Sequence, residues 1–306
     1  MTMPKNKVAT AYLGLVLVIF LWGLSPLVTL RFYEWYSPTL RVAFGSLTSG
    51  LAMLLIAHRR LPLLSRRYFK LAIPTGIALG AADVLQKVGL QYTTPTNYAF
   101  LENLSVVVVP VILFLLVKKK PRPLTLISVA LCLLSSLILT GMLTAGGHLS
   151  YGDILCALAG LLYGVNIAVT GTYAKDVCVP LYLSLQLLTV SAFSFASAPV
   201  FHAVGLEVVL FTFHPGILLL LVSFVLVSST LGWLIRTAAM KVVDPTMVAV
   251  MMPFSSVVTV LASVIAGTDR LSPSLVVGAV IGLAAIILSG LAEREKKPTD
   301  AAKSNN

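Results

Sequence analysis

Charged residues are scarce in this chain. Aspartate, glutamate, lysine and arginine make up 11% of its 306 residues, whereas hydrophobic residues make up 58%. A soluble domain is about a quarter charged and at most about half apolar. Because so few charges cannot cover a water-exposed surface, the composition excludes an ordinary soluble protein and indicates an integral membrane protein.

Cysteine and histidine are also rare. The three cysteines, Cys132, Cys156 and Cys178, lack paired spacing, and the four histidines lack the spacing of metal ligands. We therefore expect no disulfide and no metal site. The chain has no glycine-rich phosphate loop, and its scattered serines have neither an intramembrane histidine nor a close acidic pair beside them. These absences argue against a cofactor, an ATP-driven motor and an enzyme.

Long apolar runs are what the chain does contain. Each of ten runs is close to the roughly 20 residues that a helix needs to cross about 30 Å of hydrocarbon. They lie near residues 8–30, 38–57, 69–91, 95–117, 123–142, 151–173, 180–201, 214–240, 245–267 and 273–291. Lipid forces backbone groups to pair within each segment, and the runs lack barrel-like alternation. We therefore predict an all-α integral membrane protein with ten transmembrane helices.

Basic residues are distributed unevenly between the two sides of these spans. With the N-terminus inside, most of the 22 lysines and arginines lie on the inner side, and the outer loops hold only Arg31 and Arg270. The positive-inside rule then predicts an inner (plasma) membrane protein with both termini in the cytoplasm. The basic residues that give the net charge of +11 serve to set this topology and can also contact anionic lipid. We therefore expect no nucleic-acid partner.

Reporter fusions test this orientation. A reporter fused after residue 122 or residue 294 is expected to behave as cytoplasmic, because both positions follow dense basic segments. A periplasmic reporter that is active at either site would contradict the orientation and the inverted arrangement derived next.

An internal repeat relates the two halves of the chain. An offset of 150 residues aligns Pro95 with Pro245, Thr96 with Thr246, Ala99 with Ala249 and Ser105 with Ser255. The segment "LWGLSPLV" from Leu21 pairs more loosely with "LYGVNIAV" from Leu162. We predict repeats at 1–145 and 146–292 and a basic cytoplasmic tail at 293–306. Five spans per repeat is an odd number, so the repeats are inverted, which is a recurring design of secondary transporters.

Several motifs resemble one family of carriers. They are "FLWGLSPLV", "SPTLRVAFGSL" and "GLQYTTPTNYAFLENLSVVVVPVILFLL" in the first half and "YGDILCALAGLLYGVNIAVTGTYA" and "AAMKVVDPTMVAVMMPFSSVVTVLAS" in the second. In order and spacing they resemble the drug/metabolite transporter superfamily, in its EamA-type branch of ten-helix carriers. The resemblance implies export or exchange of small metabolites across an inner membrane. This chain departs from the family at Met252, where a glutamate often precedes the proline.

Charged side chains at membrane depth are the first candidates for function. Such charges are costly in lipid and usually face protein or a water-filled cavity. Asp83 and Lys87 share a helix face, and the turn "YTTPT" brings Glu102 back towards them. We predict an ion pair between Lys87 and Glu102 near the outer mouth of a cavity, with Asp83 one turn deeper. A structural pair or a snorkelling lysine is the alternative.

Polar and aromatic side chains inside the spans extend this set. Trp22, Tyr163 and Trp233 lie away from the interfaces where aromatic residues usually collect, although packing is their commoner role. The full set of predicted substrate-binding or pathway residues is Trp22, Ser25, Asp83, Lys87, Asn97, Glu102, Tyr163, Asn166, Gln186 and Trp233. Amide side chains can instead join helices. Arg41 is interpreted as reaching lipid headgroups or Glu34 near its span end, and Arg236 as an anchor of an inner span end.

These features predict a secondary transporter that works by alternating access. The cavity is expected between the first, third, fourth, sixth, eighth and ninth spans. One acid, one base and several aromatics favour an amino-acid-like solute, and a proton or a counter-substrate is the expected coupling partner. A nucleotide-sugar or sugar-phosphate carrier is one alternative, and a non-transporting scaffold is another. A homodimer is left open.

Overall fold

The computed structural model describes residues 5–118, 121–139, 150–266 and 273–303, and almost all of them are helical. We number the α-helices along the chain. They are α1 Lys5–Phe32, α2 Pro38–Ala57, α3 Arg66–Gly89, α4 Pro95–Glu102, α5 Ser105–Val117, α6 Pro123–Leu139, α7 Tyr151–Tyr173, α8 Val179–Ala203, α9 Pro215–Phe224, α10 Leu231–Ala239, α11 Pro245–Met251, α12 Phe254–Ile265 and α13 Pro273–Lys303.

The helices account for the ten predicted spans. Within the described ranges, seven helical segments are long and apolar enough to cross a membrane, and three shorter apolar helices complete the set. Large apolar side chains such as Leu13, Leu55 and Leu219 are well exposed on the outside of the bundle, as contact with lipid requires. The predicted all-α, multi-pass membrane fold is confirmed.

The fourth and ninth spans are both broken at their equivalent positions. The fourth is interrupted at Asn103 and Leu104, between α4 and α5. The ninth is interrupted 149 residues later, within one residue of the repeat offset, at Met252 and Pro253 between α11 and α12. Pro253 has no N–H to continue the helix, whereas at the first break the Asn103 side chain donates hydrogen bonds to Ser136 Oγ at 2.8 Å and Ser256 Oγ at 3.2 Å.

Two glycine contacts repeat the same symmetry. A Cβ atom built on Gly164 of α7 would lie 2.5 Å from Val108 Cβ and 2.9 Å from Ser105 O. A Cβ atom built on Gly23 of α1 would lie 2.5 Å from Val258 Cβ and 2.7 Å from Ser255 O. The loose sequence match between the first and sixth spans is therefore also a match of packing, in which each glycine lets its helix touch the backbone after a break.

Helix contacts are paired in the manner that two repeats require. The second and seventh spans pack together as α2 with α8, and the fifth and tenth as α6 with α13. The contact of α3 with α7 has its counterpart in that of α10 with α1. In this pattern the centre of the molecule lies between the two halves. The repeat boundaries 1–145 and 146–292 stay a prediction.

A loop after α8 closes over the start of α2. Ser37 has no side-chain bond that caps α2, but the Thr39 N–H donates to Glu207 Oε2 at 3.1 Å. The loop is also joined through Ser37 N–H to Leu210 O at 2.9 Å and Tyr92 Oη to Leu206 O at 2.6 Å. Burial raises the pKa of the Glu207 carboxyl, and the hydrogen bond from Thr39 opposes that rise. The Glu207 carboxylate, from another part of the chain, thus supplies the hydrogen-bond acceptor that the N-terminus of α2 needs.

The eighth span changes its winding beside the middle of the bundle. Residues Val225–Thr230 form a π-helical segment between α9 and α10. Such segments often accompany functional sites because they redirect the side chains that follow. Here the segment is followed by Trp233 and Arg236, which face the cavity described next.

Candidate functional site

A cavity of about 110 Å³ lies between the two halves. That is room for several water molecules. Its lining includes residues from all six of the spans that were predicted to form it, and the second and seventh spans also contribute through Arg41 and Leu187. The cavity is therefore shared between the repeats, as it is in transporters built from inverted repeats.

The cavity brings together most of the predicted pathway residues. Those that line it are Trp22, Ser25, Asp83, Lys87, Glu102, Tyr163 and Trp233. Their roles in transport stay a prediction, because the geometry shows only their shared location.

Three of the predicted residues lie outside the lining. Asn97 donates from Nδ2 to Asp153 Oδ1 at 3.3 Å, beside the capping box that starts α7. Gln186 donates from Nε2 to the buried Tyr182 hydroxyl at 2.8 Å. Asn166 joins three helices, because its Nδ2 donates to Thr75 O at 3.3 Å and its Oδ1 accepts from Arg236 at 3.1 Å. Amide side chains in membrane helices commonly act as such interhelical links.

The predicted direct ion pair between Lys87 and Glu102 is replaced by a bridge through Gln86. Lys87 Nζ donates to Gln86 Oε1 at 2.8 Å and to the Tyr98 hydroxyl, and it lies 4.9 Å from the Tyr98 ring centre. Gln86 Nε2 donates to Glu102 Oε2 at 2.9 Å. An amide offers an acceptor and a donor at its two ends, so it can satisfy an ammonium and a carboxylate at once.

Asp83 belongs to the same network through Tyr163. The Tyr163 hydroxyl is within hydrogen-bond distance of both Asp83 Oδ1 and Gln86 Oε1, the latter at 2.8 Å. A hydroxyl carries one proton, so it cannot donate to both acceptors together. A proton on Asp83 would complete the chain, since Asp83 would then donate to Tyr163 and Tyr163 to Gln86. The network thus has a defined place for one additional proton.

The opposite wall is aromatic and cationic. The Trp22 and Trp233 ring centres are 5.1 Å apart, and Arg236 lies 4.3 Å from the Trp233 ring centre and 5.4 Å from that of Trp22. Gly232 leaves space for the Trp22 indole nitrogen, which a Cβ atom there would meet. Cation–π contacts of this kind stabilise a guanidinium that forms no ion pair with the carboxylates of the described residues.

The placement of Arg41 and Arg236 at the membrane surface near span ends was wrong. Both side chains are buried, at 6% and 3% exposure, and both line the cavity. Arg236 is close to the end of α10, but this short helix packs inward against α1. Arg41 Cζ lies 5.8 Å from the Phe224 ring centre. Distance along the sequence from a span end therefore failed to give their depth in the bundle.

The two walls occupy equivalent positions in the two repeats. Asp83 and Gln86 of α3 correspond, 150 residues later, to Trp233 and Arg236 of α10. Tyr163, which contacts the first pair, corresponds to Trp22, which contacts the second. A shared scaffold thus carries acidic and amide groups on one side and aromatic and cationic groups on the other.

Gln86, Tyr98, Arg41 and Arg236 are among the cavity residues that sequence reasoning did not select. Gln86 and Tyr98 offered no charge to mark them, although Gln86 precedes Lys87. For Gln86 and Arg236 a signal was available in the repeat offset, because each occupies the position that corresponds to the other. Arg41 was recognised as charged but assigned to the membrane surface.

Comparisons with known proteins agree with this fold. Residues 9–141 match the model of the EamA-like transporter family. An uncharacterized transporter of Archaeoglobus fulgidus is 32% identical over 165 residues, which cover 54% of this chain and 50% of that protein. The match thus spans about half the length of this curated relative. A solved crystal structure superposes with a TM-score of 0.74 over 94% of this chain and 99% of its own, at 17% identity, and shows a shared fold.

The fold and the cavity define a multi-pass membrane protein built around a polar central site. Residues 9–141, in its first half, match an EamA-like transporter family, in agreement with the resemblance of its motifs to EamA-type carriers. The predicted resemblance is confirmed over these residues.

Proposed function

We propose that this protein is a secondary transporter that exports or exchanges a small polar or amphipathic metabolite of amino-acid-like chemistry. The observation that carries the proposal is one cavity, shared by both repeats, in which acids, cations and aromatic rings face each other. A zwitterion with an apolar body matches such a lining, because each of its parts meets a complementary group. Alternating access would come from rocking one repeat against the other.

Carriers of strongly anionic solutes are the second candidate. Three cationic residues, Arg41, Lys87 and Arg236, line the cavity, which is more than sequence reasoning placed there. This favours a nucleotide-sugar or sugar-phosphate substrate. Asp83 and Glu102 line the same cavity, however, and would repel a phosphate dianion. The cavity of about 110 Å³ is also small beside the roughly 300–1,000 Å³ of sites that hold larger ligands. Both observations favour a small solute with one negative group.

Coupling is proposed to use a proton or a counter-substrate. The carboxyl of Asp83 is the place where the Tyr163–Gln86 network can take up a proton. Tyr163 on α7 hydrogen-bonds this carboxyl, and Lys87 on its own helix, Glu102 on α4, Arg41 on α2 and Arg236 on α10 interact with it electrostatically. The site of action is proposed to be an inner membrane with both termini in the cytoplasm, which the reporter fusions described above test.

Uptake into proteoliposomes tests the function. Wild-type protein is expected to accumulate a neutral amino acid in preference to glucose 6-phosphate, either under a pH gradient or against a preloaded counter-solute. The two driving conditions separate a proton from a counter-substrate. Tyr163→Ala and Trp233→Ala should lower transport at least tenfold while abundance falls less, because both side chains line the cavity.

Tyr151→Ala and Trp35→Ala are the matched controls, since these aromatics lie outside the cavity lining. Equal losses of transport and abundance in the cavity variants would show that packing was their main role. A scaffold is tested by placing a cysteine at Ser25, in the cavity, after replacing the native cysteines. If that cysteine resists labelling in every condition and no solute moves, the carrier proposal is wrong.

A further inference from the structure

Two buried arginines in the cavity lack the partners that a guanidinium requires. Within the described part of the chain, Nε of Arg41 and Nε of Arg236 are both buried without a hydrogen bond. Among the same residues Arg236 makes one side-chain hydrogen bond, from Nη2 to Asn166 Oδ1 at 3.1 Å, although a guanidinium has five N–H donors. The ion pairs found among the described residues, Arg31–Glu34 and Arg67–Asp176, lie elsewhere on the exposed surface.

Unpaired charge at this depth needs an explanation. A charged residue inside a membrane protein is costly and usually marks a path or a ligand site. The aromatic faces of Trp22 and Trp233 compensate part of the charge of Arg236 but accept no hydrogen bond in the plane of its fork. Among the described residues, the Nε atoms of the two guanidinium groups lack an oxygen acceptor, and both arginines line the same open space.

The orientation of Arg236 is also fixed before any ligand arrives. Asn166 accepts from Arg236 and is itself held by its Nδ2 bond to Thr75 O at 3.3 Å. The guanidinium also contacts both indole rings, which limits its freedom to turn. A pre-oriented planar fork recognises a carboxylate better than a mobile ammonium does.

We propose that Arg236, with Arg41, forms the subsite that binds the carboxylate of the transported solute, beside the aromatic wall of Trp22 and Trp233. The proposal rests on the proposed function and names its substrate class as solutes with one carboxylate and an apolar or aromatic body. An amino group on that solute would face the opposite wall, where Asp83 and Glu102 carry the negative charge. A carboxylate is favoured over a phosphate because those two acids limit the charge that the cavity accepts.

Binding to the purified full-length protein in detergent tests the subsite. The probes are phenylalanine, its amide phenylalaninamide, its decarboxylated amine phenethylamine, and inorganic phosphate. Wild-type protein is expected to bind phenylalanine about 10- to 100-fold more tightly than either probe without a carboxylate, the range that charge-assisted hydrogen bonds contribute. Arg236→Gln should bring this ratio close to one and leave the affinity for the amide within about twofold.

Further variants make the assignment decisive. Arg236→Lys keeps the charge without the planar fork and should retain an intermediate affinity ratio. Arg41→Gln should lower the affinity ratio about tenfold. It replaces Arg236→Gln as the test if that variant does not fold. Arg67→Gln, on the surface, is the matched control and should leave the ratio unchanged. A wild-type ratio in folded Arg236→Gln and Arg41→Gln, or tighter binding of phosphate than of phenylalanine, would overturn the subsite.

The same probes separate this inference from the function on which it rests. Transport of the amide or the amine without preference for the acid would leave the carrier standing and overturn the carboxylate subsite. If wild-type liposomes transported none of the four probes, both the amino-acid-like function and the subsite would be overturned.

Discussion

Gln86→Leu is expected to abolish transport and to remove about 3 kcal/mol or more of stability. Gln86 is the residue that connects Lys87, Glu102 and Tyr163, through contacts of 2.8, 2.9 and 2.8 Å. Leucine fills a similar volume but offers no polar atom. Each buried partner left without a hydrogen bond costs about 1–3 kcal/mol, and more where the partner is charged. Thermal melting in detergent and proteoliposome uptake measure the two effects.

Gln186→Leu is the matched control for this substitution. Gln186 is equally buried, but it donates one hydrogen bond to a Tyr182 hydroxyl that also contacts Thr75 and Thr170. Its loss should therefore cost about 1 kcal/mol and leave transport largely intact. If the Gln86→Leu variant melted at the same temperature as the Gln186→Leu variant and still transported its solute, the bridge between Lys87 and Glu102 would have no importance for the protein.

The corrected ion pair shows what sequence reasoning can and cannot reach. That Lys87 and Glu102 need partners at membrane depth follows from the cost of a charge in lipid. Which partner each selects depends on a few tenths of a nanometre between α3 and α4, and no periodicity in the sequence specifies that distance. Gln86 lines the cavity on a helix that packs against both α7 and α8, and the sequence does not specify that packing.

The spans were predictable for a different reason. Hydrocarbon imposes a length and a composition on every crossing helix, so the runs near 38–57 and 151–173 match α2 and α7 closely. Arg236 shows the limit of that method, because a hydropathy run gives the ends of a span but not the side that faces the protein. The π-helical segment at Val225–Thr230, which precedes Arg236, has no clear sign in the sequence.

The repeat was visible in the sequence, but the helix breaks and packing contacts that the two halves share were not. The offset of 150 residues aligned Pro95 with Pro245 and Ser105 with Ser255. It did not reveal that both spans break just before those serines, where Gly164 and Gly23 approach the backbone. Gly160 and Gly164 have the four-residue spacing that permits a close helix approach, but that spacing does not name the partner, which is the broken fourth span.

Gly164→Val and Gly23→Val are expected to prevent stable folding, and to do so to a similar extent. A Cβ atom at either position would lie 2.5 Å from a valine Cβ, which is more than 1 Å inside an ordinary carbon–carbon contact of about 3.5–4.0 Å. Each would also lie within 2.9 Å of a serine carbonyl oxygen in the neighbouring span, and backbone cannot move aside as a flexible side chain can. Overpacking costs about 1–3 kcal/mol for added methylenes and more where backbone must shift.

Gly290→Val is the control that separates this clash from a general effect of the substitution. A Cβ atom there would meet Met247 Cε at 3.8 Å, which is ordinary contact with the end of a flexible side chain. Valine is no worse a helix former than glycine, so propensity does not bias the comparison. The folded fraction after extraction, measured by size-exclusion chromatography, should fall at least tenfold for the first two variants and little for the third. Because the two clashes are related by the repeat, a severe effect at Gly164 with none at Gly23 would mean that the halves do not share this packing.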